Sequence, residues 1–357
     1  LGKVALSMRL SVLDLVPVRS DQSTSDALAA TARLARCADD LGYTRYWVAE
    51  HHNMPAVAAT SPPVVLSYLA AQTSRIRLGS GGVMLPNHAP LAVAEQFALL
   101  EAAAPGRIDL GVGRAPGTDP VTSIALRGPA GRIDEDIHRF PEYLDDVVAL
   151  MSPVGVKVSL EGRNLMDQNY VLKATPAAVS PPKLWLLGSS MYSAHLAAAK
   201  GLPYVFAHHF SGQGTEEALA TYRSEFRPSE FADTPTTFMT VNACVADTAD
   251  EAEHLIRPNL QMMAWLRTGA PLRALDLVED SEKNQLTAQQ QAIVHAGMAR
   301  AVVGSPEDAA RQIRDLASYF GVDEVMVNPV ATARRGCDPA TAPARETTLR
   351  LLAEQLF

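Results

Sequence analysis

Residues 76–120 read IRLGSGGVMLPNHAPLAVAEQFALLEAAAPGRIDLGVGRAPGTDP. An apolar, strand-like run opens at Ile76, carries Gly79, Gly81 and Gly82 in its middle, and ends near Leu85. An amphipathic stretch from Leu91 to Ala103 follows, with the spacing of a helix. Gly106 then stands where a left-handed residue stops a helix, and a second strand-like run begins at Arg107. Strand, helix, glycine stop and strand make one βα unit closing onto the next. Repeated, such units imply a parallel sheet covered by helices.

The same rhythm extends outward in both directions. Strand-like runs begin near Arg9, Tyr43, Ile76, Arg107, Lys183, Pro203, Thr236 and Asp323, eight in all. Helical stretches follow most of them: Asp26 to Leu41, Pro63 to Gln72, Leu91 to Ala103, Tyr192 to Lys200, Thr215 to Phe226, Asp250 to Arg267 and Glu346 to Phe357. A helix from Ser305 to Tyr319 leads into the last strand. Gly42, Gly106, Gly201 and Gly321 are expected as left-handed helix stops, and Ser305-Pro306-Glu307 as a helix start. Eight βα units are what a (β/α)8 TIM barrel needs. Two stretches break the rhythm and read as insertions after strands four and seven, both over the C-terminal face. Ala115 to Pro182 carries a helical segment near Ile133 to Met151 and a hairpin pair, VGVKVSL and NYVLKATPA. Gly269 to Gly304 is polar around Val278 to Gln291, which reads as burying little surface. One elaborated domain over residues 8–357 is expected. Met8 is expected as the natural start, with residues 1–7 a remnant.

Composition excludes several classes of partner. The 357 residues are 47% hydrophobic, and 39 acidic residues against 31 Lys and Arg give a net charge of −8. No basic face for nucleic acid or an anionic membrane is implied. Aromatics at 6% argue against stacking on single strands. Cys37, Cys244 and Cys337 lack zinc or haem spacing, which fits a reducing, cytoplasmic setting. No apolar run approaches the ~18 residues of a spanning helix.

In a barrel the chemistry sits at the C-terminal strand ends, and that selects a few residues. Ser189, Ser190 and Ser193 open a helix after strand five, as simple caps or as an anion site. Arg114, at the tip of strand four, is a fixed cation within reach of the same anion. Its sequence, GVGRAPG, does not match a dinucleotide fingerprint, and no Walker A motif occurs. Glycines in the third strand mark either tight packing or a flat group approaching the backbone. Glu50-His51-His52 places imidazoles at the mouth. Neighbours pointing to opposite faces do not share a metal ion, so one His is a proton-transfer candidate or a structural residue. His208 and His209 pose the same choice.

Three segments carry a resemblance: WVAEHHN, the 76–120 block, and LWLLGSSMYSAHLAAAKGLPYVFAHHF. From about Leu10 to Val330 the chain resembles the bacterial luciferase-like family of flavin-dependent monooxygenases, most closely its single-subunit homologues, some of which act in natural-product (antibiotic) pathways. The resemblance implies reduced FMN at the C-terminal mouth and O2 activation as a flavin C4a-peroxide, with one oxygen passed to a small organic substrate. It assigns proton transfer to His51 and a cis peptide beneath the flavin to Gly81-Gly82. It assigns the phosphate to Arg114, Ser189, Ser190 and Ser193. His208 takes the place of a Trp near the flavin, and Gly113 that of a reactive Cys, which sets light emission aside. It implies a mobile lid at Val278 to Gln291, while the residues themselves offer no third ligand for a metal. Family members pair through the helices Pro63 to Gln72 and Leu91 to Ala103, so a homodimer is expected; Leu66, Leu69, Phe97 and Leu100 serve either that contact or the barrel. With no nicotinamide site, a separate flavin reductase is the expected partner. The alternatives are an F420-dependent hydride-transfer enzyme and a flavin-binding protein without turnover.

Overall fold

A computed structural model describes residues 8–128, 133–157, 170–175 and 179–357. Its strands are β1 (Arg9–Asp14), β2 (Arg45–Val48), β3 (Arg77–Ser80), β4 (Val83–Met84), β5 (Ile108–Gly113), β6 (Val156–Lys157), β7 (Val171–Leu172), β8 (Lys183–Gly188), β9 (Tyr204–Phe206), β10 (Met239–Val245), β11 (Val302–Gly304) and β12 (Glu324–Pro329). The helices are α1 (Thr24–Leu41), α2 (Pro62–Ala70), α3 (Pro90–Ala103), α4 (Pro120–Arg127), α5 (Ile133–His138), α6 (Phe140–Met151), α7 (Met191–Lys200), α8 (His208–Ser211), α9 (Thr215–Glu225), α10 (Ala249–Thr268), α11 (Val278–Ser281), α12 (Ala288–Arg300), α13 (Pro306–Phe320) and α14 (Pro343–Leu356). All eight expected strands are present.

The main sheet runs β11-β10-β12-β1-β2-β3-β5-β8-β9, with β4 beside β5, and its pairs are parallel. It curls. The Tyr204 N–H donates to the Thr236 carbonyl (3.0 Å) just ahead of β10, and the Thr240 hydroxyl donates to the Phe206 carbonyl (3.2 Å). These bonds bring β9 back toward β10. The four expected helix stops, Gly42, Gly106, Gly201 and Gly321, have φ between +62° and +86°. Ser305 caps α13 by accepting from the Asp308 N–H. The expected hairpin is seen where β6 and β7 pair antiparallel; residues 158–160, 169 and 176–177 of its two arms lie outside the described residues, as do residues 1–7 and 129.

The interior is closed at the N-terminal ends of the strands. Leu13, Trp47, Trp185, Phe238 and Met326 form one buried cluster. Beside it the Arg45 guanidinium bonds Glu324 and Asp109, each at 2.7 Å, and lies 4.9 Å from the Trp185 ring centroid. The Trp47 indole N–H and Arg77 also donate to Asp109, at 2.9 and 2.6 Å. Removing one member of such a buried charge group costs about 3–5 kcal/mol, because the other charge is stranded. The same plug explains Gly79: a Cβ there would lie 2.6 Å from the Trp47 Nε1 and 2.7 Å from the Asp109 Cβ. Tight packing is therefore the reason for that glycine. With the floor sealed, the chemistry is left to the C-terminal ends.

The structure resolves two of the expected surfaces. The stretch from Val278 to Gln291 leaves most of its residues open or partly open, as expected, and is anchored by two buried ones, Val278 and Ser281. The Gln261 amide donates to the Ser281 carbonyl (3.0 Å), and the Asn284 amide donates to Gln261 Oε1 (2.7 Å) and Asp276 (2.8 Å). Its charges face outward, where Lys283 and Arg335 meet Asp280 and His254 meets Glu282. It is a built part of the wall, and α12 and β11, unforeseen in the sequence, continue it. Leu66, Leu69, Phe97 and Leu100 are buried in the main core, so they serve the barrel side. The exposed large apolar residues of α2 and α3 are Val64, Tyr68 and Leu99.

Candidate active site

Arg114 follows β5 directly, and its guanidinium carbon lies 4.1 Å from the centroid of the Tyr192 ring. Tyr192 is in the first turn of α7, whose N-cap Ser190 makes no side-chain cap. The first backbone N–H groups of α7 therefore have no intrahelical acceptor and no capping hydroxyl. The Ser189 and Ser190 hydroxyls make no hydrogen bond among the described residues. Ser193 differs: its hydroxyl donates to the Ser190 carbonyl (2.7 Å) and lies 3.0 Å from the Tyr204 hydroxyl. Gly188 makes room for this, since a Cβ there would stand 2.2 Å from Ser193 Oγ. Ser193 thus offers its backbone N–H to the mouth, and Ser189 and Ser190 their hydroxyls. A guanidinium, two free hydroxyls and an open helix N-terminus make a cup of donors that suits a phosphate dianion.

The second group is built on Glu50, which is fully buried at the end of β2. His52 and His88 each donate from Nε2 to Glu50 Oε1 at 2.7 Å. The Met84 N–H donates to Oε2 at 2.9 Å. Burial works to raise the Glu50 carboxyl, but the bonds from His52, His88 and Met84 outweigh it and hold it at about 2. Glu50 so ties β2 to the segment just after the Gly81–Gly82 peptide, which is cis. A Cβ on Gly82 would stand 3.0 Å from the Gly111 carbonyl oxygen.

His51 turns away from this pair. Its Nδ1 lies 3.3 Å from the Gly117 carbonyl, which only accepts, so Nδ1 carries the proton and Nε2 keeps its lone pair. Burial pushes the His51 imidazole below its ordinary range, more than Glu50 raises it. A neutral imidazole with a free Nε2 is equipped to take up a proton near neutral pH.

His209 stands near His51. Its Nδ1 lies 2.9 Å from the Thr240 hydroxyl, and burial, with His51 and His208 nearby, pushes it down to about 4. His208, expected near the flavin, lines a cavity together with His209 just past the end of β9. Its Nδ1 lies 2.8 Å from the Thr215 hydroxyl, its ring is edge-on to Phe320, and burial and Arg300 lower its imidazole. The short helix α8 begins at His208 itself and sends the two imidazoles to different partners. His88 also escaped the sequence reading; its one signal was an isolated His just after the glycine-broken strand. Among the described residues, no three His, Cys, Asp or Glu side chains are disposed to hold a metal ion.

Comparison with known proteins gives the family. The family model described as luciferase-like monooxygenase matches residues 8–324. The uncharacterized protein YvbT of Bacillus subtilis is 40% identical, over 89% of this chain and 90% of its own length. A luciferase-like monooxygenase of Escherichia coli K12 is 38% identical, over 90% of this chain and 91% of its own. The crystal structure of apo-MsnO8 superposes with a TM-score of 0.80 at 32% identity, covering 98% of this chain and 99% of the other.

Proposed function

Because the chain belongs to the luciferase-like monooxygenase family, we propose that it is a reduced-FMN- and O2-dependent monooxygenase that inserts one oxygen atom into a small organic substrate. The observation that carries the reading is the donor-rich cup of Arg114, Ser189, Ser190 and the α7 N-terminus, set at the strand tips of the curled sheet. Its chemistry fits the phosphate of FMN. Reduced FMN, when bound, supplies the electrons that activate O2.

The chain's own residues do the rest. Arg114 and the α7 N–H groups bind the phosphate and fix the cofactor's direction. Gly81 and Gly82, which carry no side chains, leave a bare backbone against which a flat ring rests. Glu50 holds that backbone through Met84. His51 accepts a proton at Nε2 and returns it later in the cycle. The buried Trp47, Trp185 and Phe238 cluster seals the floor against water.

In this reading the architecture is a (β/α)8 barrel with insertions after the fourth and seventh strands. The protein works in the cytoplasm as a homodimer, its free cysteines in keeping with a reducing compartment. A separate flavin reductase feeds it, since the sequence carries no dinucleotide fingerprint. Anaerobic titration with photoreduced FMN and with reduced F420, followed by oxygen uptake, tests the reading. Binding of reduced FMN with flavin-dependent oxygen uptake supports it. Affinity for F420 alone, or flavin binding without oxygen uptake, replaces it with hydride transfer or with a binding protein.

A further inference from the structure

Arg267 and Arg300 stand in the last turns of α10 and α12. Both line one cavity at the tips of β9 and β10, together with His208, His209, Asn242 and Asn259. Neither guanidinium meets a carboxylate among the described residues. Arg267 donates to the Phe210 carbonyl at 2.6 Å. Arg300 makes no hydrogen bond or ion pair there; its stem lies over Gly212, where a Cβ would stand 2.3 Å from the Arg300 Cδ.

A cation at a helix C-terminus has an ordinary cause in the helix dipole. That accounts for one arginine on each helix. It does not account for two helices sending theirs into one cavity that no Asp or Glu lines, in a chain with acids in excess. Arginines near these elements do find acids, as Arg273 finds Asp276 and Arg334 finds Glu251. Burial and the neighbouring Arg267 both disfavour the Arg300 charge. Arg267 is exposed and Arg300 partly buried, so the two cations sit at the cavity's rim, where an anion between them would meet both. The cavity also adjoins the candidate active site, because His209 lines it and lies near His51.

We propose that this cavity receives the carboxylate of an organic acid substrate, with Arg267 and Arg300 as the cations that select it. The word substrate rests on the monooxygenase reading; the anion site does not.

The test uses a matched pair of probes, 3-phenylpropanoate and 3-phenylpropan-1-ol, titrated calorimetrically into the intact protein. The acid should bind about tenfold or more tightly than the alcohol, as charge-assisted bonds require. Arg267→Met and Arg300→Met should each narrow that gap several-fold, leave the alcohol unchanged and hold or raise the unfolding temperature; Arg300→Lys should keep part of the gap. Equal affinities in the intact protein, or a gap that survives the double Met variant, would overturn the proposal. If Arg300→Met weakens FMN but not riboflavin while the acid keeps its advantage, the pair serves the cofactor phosphate and the proposal falls. An acid preference in a protein that binds no flavin would sink the monooxygenase reading and leave this site standing.

Discussion

His51 Nδ1 lies 3.3 Å from the carbonyl oxygen of Gly117, and this one contact sets the tautomer of the imidazole. Nε2 is left as the acceptor, and burial keeps the ring neutral at neutral pH. Activity that depends on this base should be full at pH 7 and fall as pH drops through an apparent pKa below 6.5. His51→Gln should lower turnover by about 10²–10⁴-fold and remove that acid limb, while FMN affinity holds. Product formation measured from pH 5 to 8 checks this; an acid limb that persists in the variant assigns it to another group.

Glu50 is a second titrating anchor. Its folded pKa of about 2 lies below the ordinary 4.5, so its contribution to stability is present above pH 4.5 and is lost as pH falls toward 2. The difference corresponds to about 3 kcal/mol. Glu50→Gln should therefore be less stable than the wild type at pH 7 by roughly that amount, and the gap should close in acid. Urea unfolding at pH 7 and pH 3.5 measures it; a gap that is constant with pH contradicts the role given to the His52 and His88 bonds.

Arg114→Ala removes the only full charge of the proposed phosphate cup. A lost charge-assisted bond costs about 1.5–3 kcal/mol, or about tenfold or more in affinity. FMN binding should weaken by that factor and riboflavin binding should not. Equal effects on both ligands would take Arg114 off the phosphate.

The exposed faces of α2 and α3 present Val64, Tyr68 and Leu99 at 67%, 44% and 54% exposure. Apolar side chains this open on adjacent helices are the material of an interface. Sedimentation at micromolar concentration should show a homodimer, and Tyr68→Glu with Leu99→Asp should convert it to monomer without loss of folding. A wild type that sediments as monomer refutes this assignment.

Local signals made most of the scaffold legible. The eight strand-like runs stand out by their apolar character, and Gly42, Gly106, Gly201 and Gly321 end helices by a preference that acts within one turn. α12 was hidden because AQQQAIVHAGMAR has a weak apolar stripe; Thr287 and Gln290, which form a capping box, were the signal to use. The site was legible where one segment supplies the chemistry, as at Arg114 and at Ser189-Ser190. It was not where distant segments meet. Glu50 and His88 are 38 residues apart and bond only because the turn at Leu85–Asn87 brings them together. Arg267 and Arg300 each read as an ordinary helix end, and their convergence exists only in three dimensions. His208 and His209 were visible as a pair, but their partners depend on where β9 stops.

The most direct test of the account is isotopic. Protein, reduced FMN and ¹⁸O2 are incubated with candidate organic substrates, and the products are weighed by mass spectrometry. The account predicts one ¹⁸O atom in the product, with the yield falling when His51 or Arg114 is replaced. Products free of ¹⁸O, with all oxygen recovered as hydrogen peroxide, or turnover that needs no oxygen, would contradict it.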